Sequence, residues 1–289
     1  MSIMAPFRAA AMLLLVLGLA ACSTSKTLEV APPSLSPMST PMSGKYAAIV
    51  VDGNSGAVLY EVDSNAQRYP ASLTKMMTLY LLFEAMQQGR VTAATEIPVS
   101  EYAARRPPTK IGFRPGDTID ADSAIRALVT KSANDVAVAV GEYLGGSEEQ
   151  FAVMMTAKAR SLGMRNTTFR NASGLPDVDQ RTTARDMALL GMSLRKRFPA
   201  QFVYFSAQNF TFRGRTIRGH NDLLARVEGV DGIKTGYVRA SGFNIVTSVN
   251  RDGRKLVVVV MGGNTARQRN AHVEELIERY MPSASRGGV

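Results

Sequence analysis

Residue types that carry common enzyme chemistry are scarce in this sequence. Its 289 residues include one cysteine, two histidines and no tryptophan. A single cysteine excludes a disulfide within one chain, and the lack of a Cys/His cluster argues against a zinc site. His220 and His272 are the only histidines and no G-x-S-x-G segment is present, which argues against an ordinary Ser/His/Asp hydrolase. We therefore expect no metal and no cofactor.

The N-terminal residues also lack an apolar run long enough for a transmembrane helix. The apolar run at residues 9–20, which follows Arg8, is too short to span a bilayer comfortably. It is typical of a signal peptide, which we predict at residues 1–21. The run ends in Leu19-Ala20-Ala21-Cys22, which resembles the bacterial lipoprotein signal, so Cys22 is predicted to be lipidated. Ser23, in place of an acidic residue, resembles lipoproteins sorted to an outer membrane.

The remaining chain divides by composition into a tether and a globular part. Residues 22–44 are rich in Pro, Ser and Thr with few large apolar side chains, so burial cannot offset the entropy of ordering them. We predict an extended tether there, one domain at residues 45–281 and a short tail at residues 282–289. A hydrophobic content of 45% is enough for one large core or two modest ones.

Acidic residues are outnumbered, and the formal net charge is +10. Such a charge fits nucleic acid, an anionic membrane surface or an acidic polymer as a partner. The basic clusters at residues 105–106, 195–197 and 213–218 are scattered and are not interleaved with aromatic side chains. We interpret them as solvated surface and expect no nucleic-acid partner.

The pattern of apolar residues and turns predicts an α+β fold. Two strands around Gly53-Asn54-Ser55-Gly56 form a hairpin pattern, and Asn250-Arg251-Asp252-Gly253 is the tight turn of another. Helices are predicted at 121–131, 135–144, 148–162 and 183–194, strands at 46–52, 57–63, 208–212, 229–235, 241–249 and 255–261, and a closing helix on Val273, Leu276, Ile277 and Tyr280. Strands at both ends with helices between them imply an antiparallel sheet completed by both termini, flanked by helices, beside an all-helical part.

The segment Tyr69-Pro70-Ala71-Ser72-Leu73-Thr74-Lys75 places a hydroxyl and an amine three residues apart where a helix is predicted to begin. Steps of three and four put one set of side chains on a single buried face, namely Ser72, Lys75, Leu79, Leu82, Phe83 and Met86. A lysine on that face is desolvated, which lowers its pKa and suits it as a base for the hydroxyl of Ser72. S-x-x-K occurs elsewhere in the chain too, so the motif alone does not decide.

Two further motifs follow it in the chain. They are Ser132-Ala133-Asn134, after a predicted helix, and Lys234-Thr235-Gly236, which occurs once and ends an apolar run. All three motifs in this order resemble those of the penicillin-recognising serine enzymes. Surrounding segments such as Gly174-Leu175-Pro176-Asp177 are similar to the D-alanyl-D-alanine carboxypeptidases, the low-molecular-mass penicillin-binding proteins. The resemblance runs from about Lys45 to Tyr280 and implies a β-lactamase/transpeptidase-like fold.

The resemblance also implies a role for each motif residue. Ser72 would be the nucleophile, Lys75 would take its proton, and Ser132 would shuttle a proton to the leaving amine. Substrate would be bound by Asn134, Lys234, Thr235, Gly236, Tyr237 (through its backbone N–H) and Arg269. Ala133 replaces the glycine common between the serine and the asparagine, and His220 stands where some relatives carry arginine. Both departures leave fine specificity open.

The expected function is therefore a membrane-tethered D,D-carboxypeptidase that removes the terminal D-alanine from peptidoglycan stem peptides. Alternatives are a D,D-endopeptidase that cuts cross-links, a β-lactamase, and a non-catalytic wall-binding lipoprotein. In class A β-lactamases a glutamate on a loop after S-x-N activates the deacylating water. The corresponding residues 166–170 contain no carboxylate, and Glu148 and Glu149 are predicted to be the exposed start of a helix. We therefore expect β-lactams to be covalent inhibitors.

Overall fold

The computed structural model describes residues 43–287. The predicted signal peptide, Cys22 and residues 22–42 of the predicted tether lie outside the described residues. No helix within residues 43–287 has the length and apolar character needed to cross a membrane.

Strands and helices alternate in blocks along these residues. The strands are β1 Ala47–Asp52, β2 Val58–Val62, β3 Glu96–Pro98, β4 Thr118–Asp120, β5 Asn209–Phe212, β6 Arg215–Arg218, β7 Val230–Val238, β8 Gly242–Arg251 and β9 Arg254–Gly263. The helices are α1 Lys75–Gln87, α2 Glu101–Ala104, α3 Ala121–Val129, α4 Asn134–Gly145, α5 Glu148–Ser161, α6 Ala184–Arg197, α7 Pro199–Phe202, α8 Leu223–Arg226 and α9 Ala266–Tyr280.

The main sheet has five antiparallel strands in the order β2-β1-β9-β8-β7. The first and last strands of the chain meet in its middle, where Val50 pairs with Val258. Asp252 and Gly253 take positive φ values of 50° and 77° between β8 and β9, as a two-residue hairpin turn requires. The predicted antiparallel sheet completed by both ends of the chain is confirmed. Among residues 43–287, β7 pairs with β8 alone, so it is an edge strand of the described sheet.

Helix α1 lies in the middle of the molecule and not on one side of it. Every residue from Lys75 to Ala85 is buried, so burial is not confined to the predicted face. The helix also does not start at Pro70, because a 3-10 turn, Ala71–Thr74, precedes it. The prediction of one continuous helix with a single buried stripe was therefore wrong. Four helices contact α1 and explain why it has no exposed face, namely α3, α4, α5 and α6.

Two small sheets differ from the prediction. Strands β3 and β4 pair within the part predicted to be mostly helical, and β5 pairs with the unpredicted β6 instead of joining the main sheet. Strands of three or four residues give a periodic signal too short to read from sequence. The residues after α9 pack back on the domain, where the Ser285 N–H donates to Asp52 Oδ2 (2.7 Å).

The predicted exposed start of α5 was also wrong for one of its two glutamates. Glu149 is exposed, but Glu148 is buried because its carboxylate accepts hydrogen bonds from the Ala172 N–H and the Tyr102 hydroxyl, both at 2.9 Å. Ser147 caps the helix as its sequence suggests. The tertiary partners lie far from Glu148 in the chain, so nothing local predicts its burial.

Candidate active site

A cleft of about 550 Å³ lies between the edge strand β7 and the helical part. It contains the predicted residues Ser72, Ser132, Asn134, Thr235, Gly236, Tyr237 and Arg269 on its walls. The 3-10 turn supplies Ser72, the start of α4 supplies Asn134, β7 supplies Thr235, and the first turn of α9 supplies Arg269. The structure therefore brings the three sequence motifs together in one place.

Lys75 lies behind the cleft and is fully buried. Its Nζ donates to Asn134 Oδ1 (2.8 Å) and to the Ser173 carbonyl (2.5 Å) and lies 3.2 Å from Ser72 Oγ. A neutral amine has two N–H donors and one lone pair. Because two acceptors occupy both donors, the lone pair is left for the hydroxyl proton of Ser72.

Electrostatics favour that neutral amine. Burial, and then the nearby Lys234 ammonium, hold the pKa of Lys75 well below its usual value, while Asp135 and Glu148 act in the opposite direction. Burial, and then the cationic Arg269, lower the pKa of Lys234 to about 7. The Lys234 ammonium donates to the Thr235 carbonyl (2.9 Å). Burial and the Lys234 charge thus both favour loss of the proton from the amine beside Ser72.

Ser132 is held in an unusual conformation. Its φ is +58°, which is uncommon for a residue with a side chain, and its buried Oγ has no hydrogen-bond partner among residues 43–287. Thr109 Oγ1 holds the Ser132 carbonyl at 2.9 Å. The hydroxyl is therefore free to exchange a proton within the cleft. Ala133 has φ −64° and ψ 122°, which any L-residue adopts, so the local backbone does not require the expected glycine.

Two glycines allow close backbone contacts around Ser72. A Cβ at Gly236 would lie 3.0 Å from the Ser72 nitrogen, so only glycine lets β7 approach the 3-10 turn without displacement. A Cβ at Gly174, where φ is +86°, would lie 1.9 Å from the Ala71 carbonyl oxygen. The turn that carries the hydroxyl is thus fixed from both sides.

A family model described as D-alanyl-D-alanine carboxypeptidase matches residues 37–265. The chain belongs to the D-alanyl-D-alanine carboxypeptidase family. D-alanyl-D-alanine carboxypeptidase DacF of Bacillus subtilis is 32% identical over 237 residues, 80% of this chain and 61% of the relative. DacA of Escherichia coli is 35% identical over 236 residues, 79% of this chain and 59% of the relative. The chain thus spans about three fifths of the length of these two relatives.

Solved structures of the family give the same fold. Penicillin-binding protein D2 from Listeria monocytogenes, in its ampicillin-bound form, is 30% identical with a TM-score of 0.70, covering 81% of this chain and 95% of that chain. The predicted family and the predicted β-lactamase/transpeptidase-like fold are confirmed.

The carboxypeptidase-family cleft has a cationic end and an aromatic wall. Arg269 is buried, its Nη1 donates to the Asn244 carbonyl (3.0 Å), and burial lowers its pKa to about 10, so it stays charged at neutral pH. Partial withdrawal from solvent, and then Lys234, lower the pKa of His220, which also lines the cleft. The Tyr237 side chain is 54% exposed and packs on Phe243 at a ring-centroid distance of 4.3 Å.

Sequence reasoning missed the backbone carbonyl groups that accept hydrogen bonds from Lys75 and Asn134. The Ser173 carbonyl accepts from Lys75, and the Pro107 carbonyl accepts from Asn134 Nδ2 (2.9 Å). Both are backbone atoms, whose position no residue type signals. Only the family resemblance draws attention to the Gly-Leu-Pro-Asp segment that begins at Gly174, although Gly174 lies directly against the turn that carries Ser72.

Proposed function

We propose that this chain is a serine D,D-carboxypeptidase that removes the terminal D-alanine from peptidoglycan stem peptides. The observation that carries the proposal is the buried Lys75 amine, whose Nζ lies 3.2 Å from Ser72 Oγ while it donates to Asn134 Oδ1 and to the Ser173 carbonyl. A serine with its own desolvated base is the arrangement that acyl transfer needs. The names of the relatives, D-alanyl-D-alanine carboxypeptidases, support the same reaction.

In the first step Ser72 Oγ attacks the carbonyl of the penultimate D-alanine while Lys75 takes its proton. The backbone N–H groups of Ser72 and Tyr237 stabilise the oxyanion, each worth roughly 3 kcal/mol. Ser132 then passes a proton to the leaving amine, so that the C–N bond breaks and free D-alanine departs. Water hydrolyses the remaining acyl-enzyme and restores the Ser72 hydroxyl.

The terminal carboxylate of the substrate binds at the cationic end of the cleft. Thr235 donates a hydrogen bond to it, while Lys234 and Arg269 supply positive charge. Asn134 hydrogen-bonds the substrate amide in addition to orienting Lys75. Gly236 keeps β7 close enough for its backbone to align with the substrate.

Incubation with a monomeric pentapeptide tests the activity. We expect loss of one D-alanine by mass, and no loss with the Ser72→Ala variant. Release of monomers from a cross-linked muropeptide dimer without this loss would instead identify an endopeptidase. An intact pentapeptide and an intact dimer would contradict peptidase function altogether.

We further propose that residues 1–21 direct export and that Cys22 carries a lipid which anchors the domain, through residues 23–44, to a membrane facing the periplasm or the cell exterior. The signal-like run that ends in Leu19-Ala20-Ala21-Cys22 supports this, as does a substrate class that lies in the cell wall. Mass spectrometry of the mature N-terminal peptide tests it, with Cys22→Ser as the control. A mature chain that starts elsewhere with unmodified Cys22 would contradict it.

A further inference from the structure

A second cavity, of about 270 Å³, lies next to the cleft. The two share Gly174, Leu175 and Val238 in their walls, so they are direct neighbours. The second cavity, here called the side pocket, is bounded by residues 69–71 on one side, 174–178 and 180 on another, and 238 and 240 on the third. None of the three catalytic motifs lines it.

The course of β7 decides which part of a substrate reaches the side pocket. This edge strand runs from Lys234 and Thr235, the proposed carboxylate end, past Tyr237, the proposed oxyanion donor, to Val238. A peptide lying along an edge strand extends in one direction. With its terminal carboxylate at Thr235 and its scissile carbonyl at Tyr237, the residue that precedes the two D-alanines lies beside Val238 and Ala240, at the mouth of the side pocket.

The lining of the side pocket suits a long aliphatic side chain with a cationic tip. Apolar groups dominate the walls, among them Pro70, Leu175, Pro176 and Val178. Asp177 also lines the pocket; one of its carboxylate oxygens accepts from the Asp179 N–H (2.8 Å), and it forms no ion pair among residues 43–287.

Asp177 is the one charged residue among the described residues that line this pocket. The neighbouring cations lie outside the lining: Arg181 stacks over Tyr69 with its guanidinium carbon 3.8 Å from the ring centroid, Arg170 pairs with Asp179 at 3.5 Å, and the Arg239 side chain is exposed. The charge on the pocket wall itself is thus the negative charge of Asp177. A ligand that brings an ammonium group there gains a charge pair, whereas an anionic group meets repulsion.

We propose that the side pocket binds the side chain of the residue preceding the D-alanyl pair, and that Asp177 selects a stem peptide in which this side chain is aliphatic and ends in a free primary amine. The proposal rests on the proposed function, because it uses the same cleft and the same direction of substrate. It assigns to Asp177 a role in specificity and none in bond cleavage. A cross-linked stem peptide, whose amine is acylated, would be a poorer substrate.

Three peptides of the form Nα-acetyl-Xaa-D-alanyl-D-alanine test the proposal, in which Xaa is lysine with a free side-chain amine, norleucine or alanine. We expect kcat/KM to rise about tenfold from alanine to norleucine, because methylene groups are buried, and about fivefold more from norleucine to lysine, because of the charge pair. Asp177→Asn should abolish the lysine-over-norleucine ratio and keep the norleucine-over-alanine ratio. Asp179→Asn, next to the pocket but outside its lining, should keep both.

A second variant tests the position of the pocket separately from the charge. Ala240 is exposed, so Ala240→Leu narrows the side pocket without disturbing the core, and the norleucine-over-alanine ratio should fall. Equal kcat/KM values for all three peptides in the unaltered protein, or a lysine preference that survives in Asp177→Asn, would overturn the proposal. If no peptide is cleaved, the proposed function fails, and the same ratios are then measured as Kd values by calorimetry on the Ser72→Ala variant. Equal Kd values would overturn the side-pocket assignment on their own.

Discussion

Among single residues, Lys75 is the one whose environment most restricts its chemistry. Burial lowers its pKa, and its Nζ donates hydrogen bonds to Asn134 Oδ1 and to the Ser173 carbonyl instead of to water. Such a buried site favours a neutral amine, because a permanently charged group there would lose its solvation by water.

Lys75→Arg should abolish acylation of Ser72 although the positive charge is formally kept. A guanidinium stays protonated in proteins and cannot act as the base. We expect a loss of at least about a hundredfold in the rate of labelling by a fluorescent penicillin, the scale of lost general-base catalysis. The exposed Lys196→Arg is the matched control and should label normally. Normal labelling of the Lys75 variant would remove Lys75 from its role.

β-Lactams should acylate Ser72 and remain attached for long periods. The opened drug stays attached to its acyl group and blocks the site, whereas D-alanine departs, and the carboxylate base that class A β-lactamases use for deacylation has no counterpart at residues 166–170. Among the described residues that line the cleft, the one carboxylate is Asp222, whose Oδ1 forms an ion pair with Arg218 Nη2 at 3.7 Å. The fluorescent adduct should therefore persist over time and be missing in Ser72→Ala. Rapid turnover with release of hydrolysed drug would show that another base exists and would favour the β-lactamase reading.

At the scale of elements, the segment 171–174 links helix α1, which carries Lys75, to helix α5. Thr78 Oγ1 donates to the Ala172 carbonyl (2.7 Å), one helical turn from the Lys75 contact with the Ser173 carbonyl. From the other side the Ala172 N–H donates to Glu148 of α5. The position of the base therefore depends on a loop that is held by two helices.

Gly174→Ala should displace the turn that carries Ser72. A comparison with Gly163 separates backbone strain from steric clash, because both glycines have a similar positive φ. An added Cβ at Gly163 (φ +84°) meets open space, whereas at Gly174 (φ +86°) it would lie 1.9 Å from the Ala71 carbonyl oxygen. Gly163→Ala should cost about 1 kcal/mol of unfolding free energy from backbone strain alone. Gly174→Ala should cost clearly more and slow penicillin labelling, as measured by denaturant unfolding and gel fluorescence. Equal stability losses with normal labelling would show that the close contact is unimportant.

Glu148→Gln should move the acid limb of the acylation rate to lower pH. The buried Glu148 carboxylate, like that of Asp135, raises the pKa of Lys75, while burial and Lys234 lower it. Glutamine can keep the hydrogen bond from Ala172 through its Oε1, while its amide nitrogen can no longer accept from the Tyr102 hydroxyl. Because the negative charge is removed, Lys75 loses its proton at lower pH. The rate of penicillin labelling between pH 5 and pH 9 gives the profile. The exposed neighbour Glu149→Gln should leave it in place because solvent screens that charge. A shift of the Glu148 profile to higher pH would contradict this electrostatic role.

At the scale of the whole molecule, the buried lysines make stability depend on pH. Lys234 has a pKa of about 7 when folded and one near 10.4, its usual value, when unfolded. Between these values the unfolded state holds a proton that the folded state lacks, so the free energy of unfolding rises with pH, by at most about 1.4 kcal/mol per unit from this group. Below about pH 7 both states are protonated and the cost of burying the charge is constant.

Lys234→Met should therefore be most stabilising, relative to the unaltered chain, at pH 7, and its advantage should shrink steadily towards pH 10. Unfolding by denaturant at four pH values measures the difference, with the exposed Lys196→Met as the control that should show no trend. A difference that is constant with pH would show that Lys234 keeps an ordinary pKa in the folded chain.

Much of the fold could be predicted because the strands and helices of the main layers are long. Strands β8 and β9 have ten residues each, and helices α5 and α6 have fourteen each. The short pair β3–β4, the strand β6 and its pairing with the predicted β5 could not be predicted, because such short strands give little periodic signal. The burial of α1 on every face could not be predicted either, because it leaves no periodic contrast.

The sequence by itself determined the three motifs, their order, and hence the family, because these depend on residue type and position along the chain. Only the tertiary structure decided that Lys75 donates to Asn134 and the Ser173 carbonyl, that Glu148 is buried, and that a side pocket lies next to the cleft beside Val238. These properties arise from contacts between residues far apart in the chain and often from backbone carbonyls and N–H groups, which every residue type carries alike.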